Sequence, residues 1–260
     1  MRIERIGLAT LYLGNSLEVL PTLEPVNHLI SDPPYEAEFQ AKMDGTAIRQ
    51  RNDGGSPLKA LDFAAIDDMR QAVVDEGARL TTGWFIAFCT VEGVFPWQRA
   101  IAETRLKYKR ACVWVKPDST PSLNGQYPAQ GCECFVVAWG GEGASKWNAG
   151  GKRGIYTYNV NGPERHGTHP TEKPRRLMSE IIADFTKPGE TILDPFMGSG
   201  TTGVAAVMAG RPFVGVEMNP TYFEIACKRI EEAQRQPGLF TETTLAAGKR
   251  QGGLFSGEAA

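Results

Sequence analysis

Leu193-Asp194-Pro195-Phe196-Met197-Gly198-Ser199-Gly200-Thr201-Thr202 is the stretch that decides the fold. Thr191-Ile192-Leu193-Asp194 reads as a buried strand, and helical spacing of apolar residues resumes near Ser199 or Thr201 and runs to Met208. A glycine-rich turn therefore joins a strand to a helix. Glycines at 198 and 200 permit backbone angles and a close approach that side chains forbid, while the helix start offers unpaired N–H donors. Such a turn suits a nucleotide or nucleoside. The next strand, Arg211 to Val216, ends at Glu217, 19 residues after Gly198, where doubly wound folds place an acid on the two hydroxyls of a ribose.

Outward from this centre the chain alternates strands and helices. Lys173 to Thr186 and Pro220 to Gln234 have helical periodicity, with Pro220 near the first turn of its helix. Val26 to Ser31 is a short apolar run that ends in Asp32-Pro33-Pro34-Tyr35, where two prolines stop a strand because neither can donate a ladder hydrogen bond. Phe63 to Leu80 reads as helix, Gly83 to Cys89 as a buried strand, Ala100 to Leu106 as helix and Arg110 to Lys116 as strand. The alternation predicts βαβ units and a mainly parallel sheet. From Pro117 to about Gly167 glycine and proline become dense, and Tyr127, Trp139, Trp147, Tyr156 and Tyr158 are interleaved with Lys116, Lys146, Lys152, Arg153 and Arg165. Only Glu133 to Trp139 reads clearly as a strand there. The expected organisation is a first half of the core at 1–116, an insert at 117–167, a cofactor-binding half at 168–236 and a loosely held tail at 237–260.

At 260 residues, 42% hydrophobic and 22% charged, the chain is long enough for one large α/β domain with an insertion. Apolar stretches such as Gly83 to Cys89 are far short of a membrane span, and Met1-Arg2-Ile3-Glu4-Arg5 leads into no apolar signal core, so a cytoplasmic protein with no membrane partner is expected. Five cysteines point to reduced thiols, and Cys132-Glu133-Cys134 reads as one face of a strand rather than a metal half-site, so no metal is expected. The net charge of −2 is unevenly spread. Trp97 to Arg176 holds 13 Lys and Arg against 6 Asp and Glu, net +7, leaving −9 for the rest, so a polyanion would be held on the middle section. The glycine-rich loop carries no Gly-Lys-Ser/Thr, which disfavours a triphosphate and leaves a dinucleotide or S-adenosylmethionine.

The segment Asp194 to Thr202, followed by Gly215-Val216-Glu217-Met218-Asn219-Pro220 and Tyr222, resembles the cofactor half of the amino-group DNA methyltransferases, and Asp32-Pro33-Pro34-Tyr35 resembles their catalytic motif. Because that motif precedes the glycine-rich loop, the order is similar to the permuted beta group, the N6-adenine/N4-cytosine family. The resemblance covers roughly residues 10–35 and 130–232. It implies a Rossmann-like S-adenosylmethionine-dependent methyltransferase fold, a mixed, mostly parallel sheet with helices on both faces, circularly permuted and carrying a target-recognition insert. It also implies cofactor contacts at Asn15, His169, Thr171, Lys173, Asp194, Phe196, Gly198, Ser199, Gly200, Thr201, Thr202 and Glu217. Relatives often carry Asp where this chain has Asn15, whose amide can both donate and accept.

The expected chemistry is methyl transfer from S-adenosylmethionine to an exocyclic amine of double-stranded DNA, N6 of a flipped adenine. The lone pair of that amine is delocalised into the ring. Asp32 and, by family analogy, the Pro33 carbonyl can each accept one N–H, favouring a pyramidal nitrogen, and the prolines hold the loop rigid. Tyr35 can stack on the extruded base. Adenine is preferred because cytosine-specific relatives more often have Ser at the position of Asp32. N4 of cytosine, an RNA or protein-glutamine substrate, a non-catalytic DNA-binding module and a dinucleotide-dependent oxidoreductase stay open, as do a homodimer and a companion restriction enzyme.

Overall fold

The computed structural model describes residues 1–35, 66–121, 126, 128–161 and 173–235. Their strands are β1 (Arg2–Ile6), β2 (Ala9–Leu13), β3 (His28–Ser31), β4 (Trp84–Cys89), β5 (Lys107–Val115), β6 (Cys132–Trp139), β7 (Ile155–Thr157), β8 (Ile192–Asp194) and β9 (Phe213–Glu217). They form one sheet in the order β1-β2-β9-β8-β3-β4-β6-β5-β7. Pairing is parallel from β2 through β9, β8 and β3 to β4 and again between β5 and β7, and antiparallel for β1–β2, β4–β6 and β6–β5. The mixed, mostly parallel sheet is the one expected.

The helices are α1 (Ser16–Val19), α2 (Arg70–Leu80), α3 (Val94–Ala102), α4 (Arg175–Phe185), α5 (Thr201–Met208) and α6 (Pro220–Arg235). Side chains alternate along a strand, so β4 sends Trp84, Ile86 and Phe88 to a core with α4, α5 and α6, and Phe85, Ala87 and Cys89 to a second core with α2 and α3. All six β4 residues are buried, which makes this strand the middle of the sandwich; each of its large apolar side chains contributes about 1.5–3 kcal/mol relative to exposure. Among the described residues no helix is long and apolar enough to cross a membrane.

Two connections matter for function. From β8 the chain runs through α5 to β9 on one side, whereas from β3 it reaches α2 and then β4 on the other. The strand order therefore switches between β8 and β3, and their carboxyl ends border the crevice where open α/β sheets bind ligands.

Part of the segment 117–167 belongs to the sheet. Residues 132–139 are β6, an inner strand between β4 and β5, and 155–157 pair with β5 at the sheet edge. Several of its aromatic and basic residues are used internally: Trp147 packs edge-on against Phe185 at 4.6 Å, Lys152 pairs with Glu180 and Asp184, and the hydroxyls of Tyr156 and Tyr158 donate to Asp184 and Glu180. Composition alone could not separate a solvated basic surface from one that faces the acids of α4. Tyr127 and Arg165 lie outside the described residues.

His28 fastens the opposite, amino end of β3. Its Nδ1 accepts the Trp84 N–H at 3.0 Å, so the ring proton is on Nε2, which meets Glu190 at 2.9 Å. Burial pulls the imidazole below its usual value, with Glu190 opposing and Arg211 adding to the effect. A proton that the unfolded chain takes up near its ordinary value is then refused by the folded one, so this contribution to stability is present above that value and is lost as pH falls below it. Denaturant titrations between about pH 7.5 and about pH 5.5 should show wild-type stability falling more steeply on acidification than that of His28→Gln.

Candidate active site

Asp194 closes β8 and is 1% exposed. Its Oδ1 accepts the Ser31 hydroxyl at 2.6 Å and the Phe196 N–H at 3.0 Å, and Thr202 also bonds to it. Burial pushes the carboxyl up to about 6, against these three donors. The loop then turns through Met197, whose N–H donates to the Val216 carbonyl at 3.0 Å, and Gly198, whose N–H donates to Glu217 Oε2 at 3.0 Å. The second Glu217 oxygen accepts the Asn219 N–H at 2.7 Å. Burial raises the Glu217 carboxyl, and the N–H groups of Asn219, Gly198 and Met218 oppose that rise.

The two loop glycines have different reasons to be glycine. Gly198 has φ +52°, and a Cβ there would meet nothing within 4 Å, so it faces open space beside Glu217. Gly200 has φ +84°, and a Cβ there would stand 2.9 Å from the Ala226 Cβ, so it lets α5 and α6 close together. The hydroxyl side chains of this loop are turned inward. Arg229, on α6, reaches the Ser199 carbonyl and hydroxyl at 2.8 Å and Thr201 Oγ1 at 3.4 Å. Ser199, Thr201 and Thr202 are buried. These residues hold the loop, and its backbone and the open face of Gly198 form the cradle. Nothing local in the sequence singles out Arg229.

Asn15 caps α1, its Oδ1 accepting the Leu17 N–H at 3.0 Å, while the Gly14 N–H donates to the Glu217 carbonyl at 3.0 Å. The Leu13-Gly14-Asn15 turn thus lies against the end of β9. Ser16 donates to the Pro195 carbonyl, joining α1 to the cofactor loop. Phe196 is half-buried, packed on the α2–α3 side. His169 and Thr171 lie outside the described residues.

Across the crevice, Asp32 follows β3 directly. Lys173, 5% exposed in its side chain, brings its ammonium to Asp32 Oδ2 at 2.6 Å, to Glu133 Oε2 at 3.2 Å and to the Tyr35 hydroxyl at 3.2 Å. The Tyr35 hydroxyl donates to Glu133 Oε1 at 3.0 Å, and Lys116 closes on the same oxygen. Asp32 Oδ1 is buried and has no hydrogen-bond partner among the described residues. Burial raises the Asp32 carboxyl, with Lys173 pulling the other way. Glu133 is also penalised by burial, but Lys173 and Lys116 outweigh that and hold it below its usual value. The ammonium of Lys173, disfavoured by burial, is held charged by Asp32 and Glu133, well above its usual value. Glu133 and the position of Lys173 beside Asp32 are the features sequence reading missed; the signal was an acid inside the apolar run Cys132-Glu133-Cys134-Phe135-Val136-Val137.

An open glycine loop, a buried acid 19 residues on and a carboxylate loop thus face one another across the strand switch. A sequence profile of the DNA methylase family (N6/N4 methylases) matches residues 26–228. The chain belongs to this family. The type II methyltransferase M2.MboI of Moraxella bovis is 25% identical over 244 residues, covering 85% of this chain and 87% of the relative. The crystal structure of the M1.HpyAVI–SAM complex is 25% identical with a TM-score of 0.65, covering 85% of this chain and 98% of that one. The PvuII DNA methyltransferase, described as cytosine-N4-specific, shares the fold with a TM-score of 0.66 at 17% identity, over 96% of each chain. The methylase is a DNA methyltransferase of the N6-adenine/N4-cytosine family, and its cofactor is S-adenosylmethionine. The cradle at Gly198 and the acid at Glu217 fit that nucleoside.

The two glycines provide a test in this methylase. Gly198→Ala should weaken cofactor binding measured by calorimetry through crowding of the cradle, with a stability loss of about 1–2 kcal/mol from the left-handed backbone. Gly200→Ala adds the collision with Ala226, so its melting temperature should fall further, by a total of about 2–5 kcal/mol in stability.

Proposed function

We propose that this methylase transfers the methyl group to N6 of an adenine flipped out of double-stranded DNA in the cytoplasm, with Asp32-Pro33-Pro34-Tyr35 as the acceptor motif. The observation that carries this reading is Asp32 Oδ1, a buried acceptor without a partner among the described residues, at the carboxyl edge of β3 beside the cofactor loop. A buried acceptor left unsatisfied is costly, and an incoming amine N–H satisfies it.

Bound S-adenosylmethionine supplies an electrophilic methyl on a sulfonium sulfur. Glu217 is suited to the ribose hydroxyls, the Gly198 face to the nucleoside, and the turn at Asn15 to the adenine end. On the acceptor side, Asp32 Oδ1 takes one N–H of the amine and the Pro33 carbonyl the other, which aims the nitrogen lone pair across the crevice. Transfer of that methyl, with the C–S electron pair left on sulfur, would make the nitrogen cationic. Its surplus proton has Asp32 Oδ1 as the acceptor it already faces, a carboxyl that burial makes more basic than usual. Stacking on Tyr35 is worth about 1–3 kcal/mol and offsets part of the cost of extruding the base. An aspartate at this position favours adenine.

Duplex DNA treated with labelled cofactor and digested to nucleosides should yield N6-methyladenine; labelled N4-methylcytosine would reassign the base. Asp32→Ala should lose transfer by at least about a hundredfold while calorimetry shows cofactor binding retained. Turnover near the wild-type rate would remove Asp32 from the reaction. Glu217→Ala should instead raise the cofactor dissociation constant, and an unchanged constant would remove it from the ribose.

A further inference from the structure

Lys173 was expected at the cofactor, yet its ammonium is fully occupied on the acceptor side. It lies between Asp32 Oδ2 and Glu133 Oε2 and sits 5.4 Å over the Tyr35 ring, 5.2 Å over Phe88 and 5.9 Å over Trp114. Buried ion pairs contribute little net stability because the desolvation of each charge offsets their attraction. What this one supplies is geometry. A carboxylate gripped at one oxygen has its plane fixed, so the other oxygen points in a defined direction, and here that other oxygen is the partnerless Oδ1.

The grip is anchored on the sheet. β6 runs antiparallel to β4 and β5, so Glu133, near its start, emerges at the same edge as Lys116 after β5 and Asp32 after β3. Trp114 pairs with Glu133 across the β5–β6 ladder, and the Lys116 N–H donates to the Gly131 carbonyl at 2.8 Å. Glu133 then touches Lys116, Lys173 and the Tyr35 hydroxyl together. Charge gives it a second reason to be there. An ammonium 2.6 Å from Asp32 would oppose the positive charge that grows on the target nitrogen, and the carboxylate of Glu133 on its far side offsets that field.

We infer that Lys173 and Glu133 are positioning residues of the methyl-acceptor loop: Lys173 pins Asp32 through Oδ2 so that Oδ1 meets the amine, while Glu133 seats Lys173 and Tyr35 and balances the Lys173 charge. This rests on the acceptor role proposed above for Asp32. Among the described residues, the charged and titratable groups facing Asp32 are Lys173 before α4, Glu133 on β6, Lys116 after β5, Tyr35 on its own loop and Asp194 on β8.

The full-length protein tests it through Lys173→Met, Lys173→Arg and Glu133→Gln, with unmethylated duplex made by amplification, labelled cofactor and a single-turnover readout of total methyl transferred to either base across pH. Lys173→Met should bind cofactor within about twofold of wild type yet transfer about a hundredfold more slowly. Its acid limb should move to higher pH, because Asp32 loses its neighbouring cation, and Lys173→Arg should recover much of the rate. Glu133→Gln should slow transfer about tenfold and move the acid limb the opposite way, to lower pH, because a neighbouring negative charge is gone. Opposite displacements are not produced by general loosening of the site. Loss of cofactor affinity in Lys173→Met with a normal rate at saturation would place Lys173 in the cofactor pocket and overturn the inference. So would slowed transfer with stationary acid limbs. Should Lys173→Met fail to fold by thermal unfolding, the limb of Glu133→Gln decides alone. A wild type that methylates no DNA would fail the acceptor reading itself, whereas an active wild type with unaltered variants would fail only the positioning role.

Discussion

The hydroxyl of Ser31 and the carboxylate of Asp194 meet at 2.6 Å, and the rest of the site depends on that contact. Ser31 is the last residue of β3 and Asp194 the last of β8, so one bond ties the carboxyl ends of the two strands that flank the topological switch. Asp194 also receives Phe196 N–H, which starts the glycine-rich loop, while Asp32 follows Ser31 and starts the Asp32–Tyr35 loop. The two loops are thereby held together at the carboxyl edge of the sheet. A hydrogen bond to a buried carboxylate belongs to the stronger class, about 1.5–3 kcal/mol, and leaving Asp194 without donors would add the cost of an uncompensated buried charge.

A second constraint is electrical. Two ammoniums, Lys116 and Lys173, and two carboxylates, Asp32 and Glu133, share one small buried region together with the Tyr35 hydroxyl. Removal of any one charge leaves its partners unbalanced where water screens them only in part, so the set behaves as a unit rather than as separable pairs. Aromatic faces of Tyr35, Phe88 and Trp114 line the Lys173 cation. They exclude water and still offer their negative faces to it, which lets the charge persist in an apolar wall.

The parallel centre of the fold was legible because its strands are short apolar runs closed by glycine, proline or an acid, and its helices keep a 3.6 period. Leu193-Asp194 and Phe213-Val214-Gly215-Val216-Glu217 carry both the strand signal and the ligand signal. The β1–β2 hairpin was not legible. Arg2–Ile6 spaces its two isoleucines three apart among charges, which is no strand period, and the hairpin is held by β2 pairing with β9, more than 200 residues away. β7 has three residues, too few for any period. Asp32-Pro33-Pro34-Tyr35 stands out as a tetrapeptide, whereas its surroundings do not: Tyr35 meets Glu133 across 98 positions and Asp32 meets Lys173 across 141. An acid in an apolar strand states that a partner exists and says nothing about which.

Sheet order, not chain order, makes the site. Asp32 comes long before Asp194 in the chain, yet they sit on neighbouring strands because β3 and β8 are paired. The antiparallel turn at β6 extends this logic, since it returns the start of a strand to the edge where its neighbours end and so delivers Glu133 to the Asp32–Tyr35 loop. Three segments with no local continuity, 32–35, 133 and 173, converge there with no covalent link between them. Ser31 and Glu133 hold two of them to the sheet edge, and the Lys173 ion pairs with Asp32 and Glu133 tie the third to it.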